Sequence, residues 1–232
     1  FLSISEVPFL SVEKRIRPVI EDTETVKAFL DSPPNTRTGC RDTMILSVLF
    51  DTMIRADELI RISIGDICLN GSIPYILIHG KGNKERTVSL SEKVVPLIRA
   101  YMKEFHGSPA EDTDFPFIYT VSHGAVHRMS ERNLERIVKK YADITRQDYP
   151  SLPDPVYPHM LRRTRGTGLY RDGVPIEAIA VAMGHANIQT TRDHYAFPSL
   201  EQKRAAMEKG RGVISSGNEE PEWPDDEGEL AR

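Results

Sequence analysis

The stretch PHMLRRTRG, residues 158–166, places His159 three residues before Arg162 and four before Arg163, with Arg165 just beyond. On a helix, residues three or four apart share a face, so the imidazole and either guanidinium would point the same way. Such a face suits a bound phosphate, which a guanidinium fork grips bidentately. It equally suits a solvated basic helix. Four more positions carry side chains that could join a phosphate site: Arg55 in TMIRADEL, Lys81 in GKGNKER, His185 in MGHAN and Tyr195 in TTRDHYAF. Each has an ordinary reading when taken alone. Arg55 can pair with Glu58 three residues on, Lys81 can be a solvated turn lysine, His185 a capping or packed histidine, and Tyr195 a half-buried core aromatic rather than a nucleophile. The GKGNKE run lacks the G-x-x-x-x-G-K-[ST] spacing of a phosphate-binding P-loop.

The elements that must hold these residues follow from pattern. FLSISEVPFLSVEKRIRPVIED, residues 1–22, reads as an extended leading arm or linker. TVKAFLDS is a short helix stopped by Pro33-Pro34. RDTMILSVLFDTMI is apolar on all sides, the mark of a buried central helix, with Arg55 at its end. ADELIRI is another short helical piece. SIGDICL, IPYILIHG and ERTVSL are short, rich in Ile, Leu and Val and separated by Gly and Asn, which predicts a small antiparallel sheet with Lys81 in the turn between the second and third strands. Everything after that reads as helical: SEKVVPLIRAYMKEF with a kink at Pro96, SERNLERIVKKYADIT capped by Ser130, MLRRTRGTGLYRDG, PIEAIAVAMG with Pro175 in its first turn and Gly184 past its end, IQTTRDHYAF, and LEQKRAAMEKG. The predicted class is mainly α with a small antiparallel β-sheet.

Bulk properties narrow the partners. At 232 residues, 39% hydrophobic and 28% charged, the chain is an ordinary globular protein. Cys40 and Cys68 stand far apart with no C-x-x-C spacing, which argues against a disulfide framework or thiolate metal site and for a reducing cytosol. The formal charge of −4 is unevenly spread, since residues 217–232 hold seven acidic residues against one arginine, a net of −6, and leave +2 on the first 216. A mildly basic body remains compatible with a nucleic-acid partner. The acidic tail, residues 211–232, is too poor in apolar residues to fold alone.

In combination the motifs resemble the catalytic domain of the tyrosine recombinases, the phage integrase and Xer family. That family's pattern is Arg-x-x-Glu, a lysine in a β-turn, His-x-x-Arg, Gly-His and then Tyr. TMIRADEL, GKGNKERTVSL, HMLRR and MGHANIQTTRDHYAF supply each element in order across residues 20–209. The resemblance implies the family fold over residues 23–210 and selects Arg162 over Arg163 as the catalytic arginine of HMLRR. It implies Tyr195 as the nucleophile that forms a 3′-phosphotyrosyl bond. Arg55 and Arg162 become clamps on the non-bridging phosphate oxygens, Lys81 the acid for the 5′-oxygen, His159 the general base and His185 a further phosphate hydrogen bond. Neither a metal nor another cofactor is implied.

Lys84, Arg86, Arg132, Arg136 and Arg163 are expected to contact DNA, with Lys139 and Lys140 in the same basic clusters, Arg163 having a structural alternative. The implied partners are double-stranded DNA and three further copies of the chain on it, LEQKRAAMEKG being the segment exchanged between neighbours and the isolated domain compatible with a monomer. An N-terminal DNA-binding domain is expected upstream of Phe1, and the setting is the bacterial cytoplasm at the nucleoid. The alternatives are a type IB topoisomerase, a non-catalytic DNA-binding relative, and a helical interaction protein that would leave the motif register a coincidence.

Overall fold

In the computed structural model, residues 18–80, 85–107, 113–185 and 191 are described. The chain forms α1 (Thr23–Asp31), α2 (Arg37–Thr52), α3 (Ala56–Arg61), a 3₁₀ turn (Ile64–Asp66), β1 (Ile67–Cys68), β2 (Tyr75–His79), β3 (Glu85–Ser89), α4 (Val95–Phe105), β4 (Tyr119–Ser122), β5 (Ala125–Arg128), α5 (Glu131–Thr145), α6 (Pro158–Arg171) and α7 (Ile176–Met183). The class is the expected one, mainly helical with small antiparallel sheets.

The all-round apolar pattern of α2 has the predicted consequence. Met44, Ile45, Leu46, Val48 and Leu49 are all buried, and the helix packs against α4 and α6 at the centre of the core. Each such side chain contributes about 1.5–3 kcal/mol on leaving water. Buried Asp42 on α2 takes hydrogen bonds from Tyr141 Oη of α5, at 2.9 Å, and Arg41 Nε, also at 2.9 Å. Ser130 caps α5 by accepting from the Asn133 N–H, as its sequence predicts. The leading arm is part of the core at its end: Ile20 is buried, and its N–H donates to Thr164 Oγ1 of α6 at 3.0 Å.

Strands β1, β2 and β3 form the expected antiparallel sheet in that order, with Ile76 opposite Val88 and Ile78 opposite Arg86. SIGDICL yields only two strand residues, because Ile64–Asp66 closes a 3₁₀ turn in which the Asp66 carboxylate accepts from the Ser63 N–H. Two expectations are corrected. Pro96 does not kink a helix; it sits in the first turn of α4, where its missing N–H has no partner to lose. The chain after the first sheet is not all helical, since β4 and β5 pair as a hairpin with Val121 opposite Val126. His123 and Gly124 turn it with φ of 50° and 77°, and a two-residue turn with both φ values positive matches the twist of its strands.

Candidate active site

Arg55 does not end α2. That helix stops at Thr52, Met53 turns left-handed as its C-cap, and Arg55 becomes the N-cap of α3. The joint puts Glu58 at the third helical position, where its carboxylate reaches back to the Arg55 N–H at 2.8 Å, half of a capping box. The other oxygen, Oε1, accepts from Arg55 Nη1 at 2.9 Å. Arg86 on β3 completes the group: its Nη1 and Nη2 donate to Glu58 Oε1 and Oε2 at 3.0 and 2.8 Å. Burial pushes the Glu58 carboxyl up, but the Arg86 and Arg55 hydrogen bonds and their charges outweigh it and hold the group at about 2. Glu58 is 6% exposed while Arg55 keeps 43% of its side chain exposed, so the carboxylate anchors a guanidinium that still faces solvent.

Arg162 arrives from α6 and is only 1% exposed. Its Nη1 donates to the Met53 carbonyl and its Nη2 to the Met183 carbonyl, the latter at 2.7 Å. These oxygens belong to the ends of α2 and α7, where carbonyls lack intrahelical partners and the dipole favours a cation. Met53 holds a φ of 54° although it has a side chain, an unusual conformation that places its carbonyl within reach of Arg162. Arg162 Nη2 also lies 2.9 Å from His185 Nε2, and His185 Nδ1 lies 2.7 Å from Thr191 Oγ1. Arginine can only donate, so Nε2 is the acceptor and the His185 proton sits on Nδ1, directed at Thr191.

Gly184 closes the group. It ends α7 in a left-handed conformation, φ 65° and ψ 40°. A Cβ there would stand 2.6 Å from Arg86 Cζ, so the Arg86 side chain lies flat against the residue before His185. Arg55, Glu58, Arg86, Arg162 and His185 thus meet where α2, α3, β3, α6 and α7 converge. His159 is exposed in the first turn of α6, three residues before Arg162.

Lys81, Lys84, Tyr195 and His194 lie outside the described residues, as do the tail and LEQKRAAMEKG. The strand ends that flank residues 81–84 are described. There His79 Nε2 lies 2.8 Å from Asp66 Oδ1 and Nδ1 lies 3.0 Å from Glu85 Oε1. The Asp66 hydrogen bond first, then the charges of Asp66 and Glu85, raise the imidazole above its ordinary value.

The residues expected to touch DNA divide. Arg132 and Arg136 are exposed on α5, as is Lys139, and Lys140 rests over the Tyr141 ring. Arg163 is 3% exposed, and its Nη2 donates to the Pro18 carbonyl and Tyr157 Oη at 2.9 and 2.7 Å, a geometry that favours its structural alternative. Arg86 is likewise turned inward, onto Glu58. Strand alternation carried the signal: residue 86 shares a face with Val88, which is buried, whereas Glu85, Thr87 and Ser89 point out. No sequence signal marked the Met53 and Met183 carbonyls or Thr191, because carbonyl positions depend on where helices end.

The sequence profile of the phage integrase family matches residues 21–201. The chain belongs to that family. This integrase-family chain is 34% identical over 174 residues to tyrosine recombinase XerC of Staphylococcus haemolyticus, a match covering 73% of the chain and 53% of the relative. It therefore spans about half the length of curated relatives it matches. Its fold is similar to the crystal structure of XerA recombinase, with a TM-score of 0.65 at 28% identity over 84% of this chain and 64% of that one. A TM-score of 0.64 at 22% identity, over 84% of this chain and 53% of the other, relates it in fold to XerH site-specific recombinase bound to palindromic difH substrate in a post-cleavage complex.

Proposed function

We propose that the chain is the catalytic part of a site-specific DNA recombinase or integrase that cleaves and rejoins strands through a 3′-phosphotyrosyl intermediate. The observation that carries this reading is the direct bonding of Arg162 to both His185 and the α2–α3 joint that holds Arg55, which gathers three of the six catalytic candidates into one cationic site. Family membership and the DNA-bound state of the XerH relative support double-stranded DNA as the partner.

In the proposed step, Tyr195 Oη gives its proton to His159 and forms a bond to the scissile phosphorus. The bond from phosphorus to the 5′-oxygen breaks, and that oxygen takes a proton from Lys81. Arg55 and Arg162 stabilise the charge that gathers on the non-bridging oxygens, as preorganised donors do without reorganising during the reaction. A hydrogen bond from His185 Nε2 to the phosphate needs a proton on that nitrogen, so it forms only after the Arg162 contact is given up. The phosphotyrosyl bond conserves the energy of the broken phosphodiester, and attack by a 5′-hydroxyl of another strand releases Tyr195 and completes the exchange. Four copies act on two DNA sites.

The test uses the full-length protein and nicked duplexes from the ends of the encoding element, which lose the short 5′ fragment after cleavage and trap the adduct. Wild type is expected to give a covalent protein–DNA band on a denaturing gel and Tyr195→Phe none. A band that persists in the variant assigns the wrong nucleophile, and relaxation of plasmids lacking any such site would favour a topoisomerase.

A further inference from the structure

Within the strand-transfer reading just given, on which this inference rests, we propose that Arg86 is a positioning residue for the phosphate clamp: it acts through Glu58 on Arg55 and makes no contact with DNA. Both terminal nitrogens of Arg86 meet the two oxygens of one carboxylate, at 3.0 and 2.8 Å. That paired geometry fixes the plane of the Glu58 carboxylate as well as its position. The same carboxylate holds Arg55 at two points, its N–H and its Nη1. Arg55 caps a six-residue helix, Ala56–Arg61, and its side chain is 43% exposed, so little besides Glu58 fixes its direction among the described contacts.

Two further placements give Arg86 its reach. It stands opposite Ile78 in the β2–β3 ladder, one residue past Glu85, the first residue of β3. Its side chain also lies where a Cβ of Gly184 would be, against the backbone that leads into His185. From β3, one side chain therefore touches both the mounting of Arg55 and the chain entering His185. Arg86 is 21% exposed, and its fork is turned onto a carboxylate that is 6% exposed.

Positioning predicts a specific kinetic signature. Full-length Arg86→Gln should bind the nicked duplex with unchanged affinity and unchanged salt slope, because no phosphate contact is lost. Its single-turnover rate of covalent adduct formation should fall about 10²-fold, the order that a misplacement of about 1 Å costs. A duplex with a methylphosphonate at the scissile position carries no charge for Arg55 to neutralise, so on that substrate the variant should react at a rate close to the wild type's. Arg86→Lys keeps the cation but not the fork and should fall between. It also serves as the test protein if thermal melting shows that Arg86→Gln does not fold. Equal slowing on both substrates would overturn the inference in favour of a merely structural role. Weaker binding with a smaller salt slope would overturn it in favour of a phosphate contact. Absence of adduct from the wild type on either substrate would overturn the strand-transfer reading and this inference with it.

Discussion

Glu58 is the residue on which the two halves of the site depend. It is buried with a charge that the two guanidinium groups and the Arg55 N–H stabilise. Because the folded carboxyl lies at about 2, below its ordinary value of 4.5, folding favours the ionised form. The resulting stability is fully present above pH 4.5 and is lost as pH falls toward 2; the difference corresponds to about 3 kcal/mol. Acid unfolding of wild type should therefore steepen across this window, and Glu58→Gln should show a flatter pH dependence there while being less stable at neutral pH. Equal pH dependence of the two proteins in denaturant titrations would contradict the assignment.

Arg162 makes a complementary case. A lysine cannot reach the Met53 and Met183 carbonyls together, so Arg162→Lys should lose about 2–4 kcal/mol of stability, the cost of leaving buried carbonyls unpaired. A guanidinium titration with an unchanged midpoint would be the contrary result. At this scale the HMLRR spacing left Arg162 and Arg163 both open, the resemblance selected Arg162, and both side chains are buried. Arg86, expected to contact DNA, has its fork on Glu58, a placement that strand alternation followed through to Val88 points to.

Elements decide where those side chains stand, mostly at helix ends. The cluster is built from the C-cap of α2, the N-cap of α3 and the C-cap of α7. Sequence periodicity locates helices better than their last residues, which explains why Arg55 was placed at the end of α2 although it begins α3. The β4–β5 hairpin was passed over for a related reason. Its strand residues are largely exposed; the alternation of Tyr119–Ser122 lasts only four residues and Ala125–Arg128 do not continue it, which left the His123-Gly124 pair as the hint of a turn.

Gly184 is the element-scale position most open to test. Alanine there meets a left-handed backbone and a contact of 2.6 Å with Arg86. Gly184→Ala should cost about 1 kcal/mol for the backbone alone and should also slow adduct formation by displacing Arg86 from Glu58. Thermal melting together with single-turnover cleavage checks both effects, and a variant slowed in neither would contradict the packing described.

Over the whole molecule, the core and the charge distribution do different work. One buried helix, α2, organises the packing, and the pattern that identifies it was readable because its apolar residues occur on every face. The net charge of −4 would repel DNA if it were uniform, yet residues 217–232 account for −6 of it. Removing those residues should raise the affinity of the chain for duplex DNA, most strongly at low salt, where electrostatic screening is weakest. Unchanged affinity in a fluorescence-anisotropy titration at low and moderate salt would contradict this prediction.

The central claim is that Tyr195 takes the 3′ side of a broken phosphodiester. The most direct measurement is mass spectrometry of the trapped adduct after digestion with protease and nuclease. The account predicts a peptide containing Tyr195 that carries a 3′-linked phosphonucleotide, with a free 5′-hydroxyl on the released fragment. A nucleotide on any other residue, or one linked through its 5′ phosphate, would contradict it.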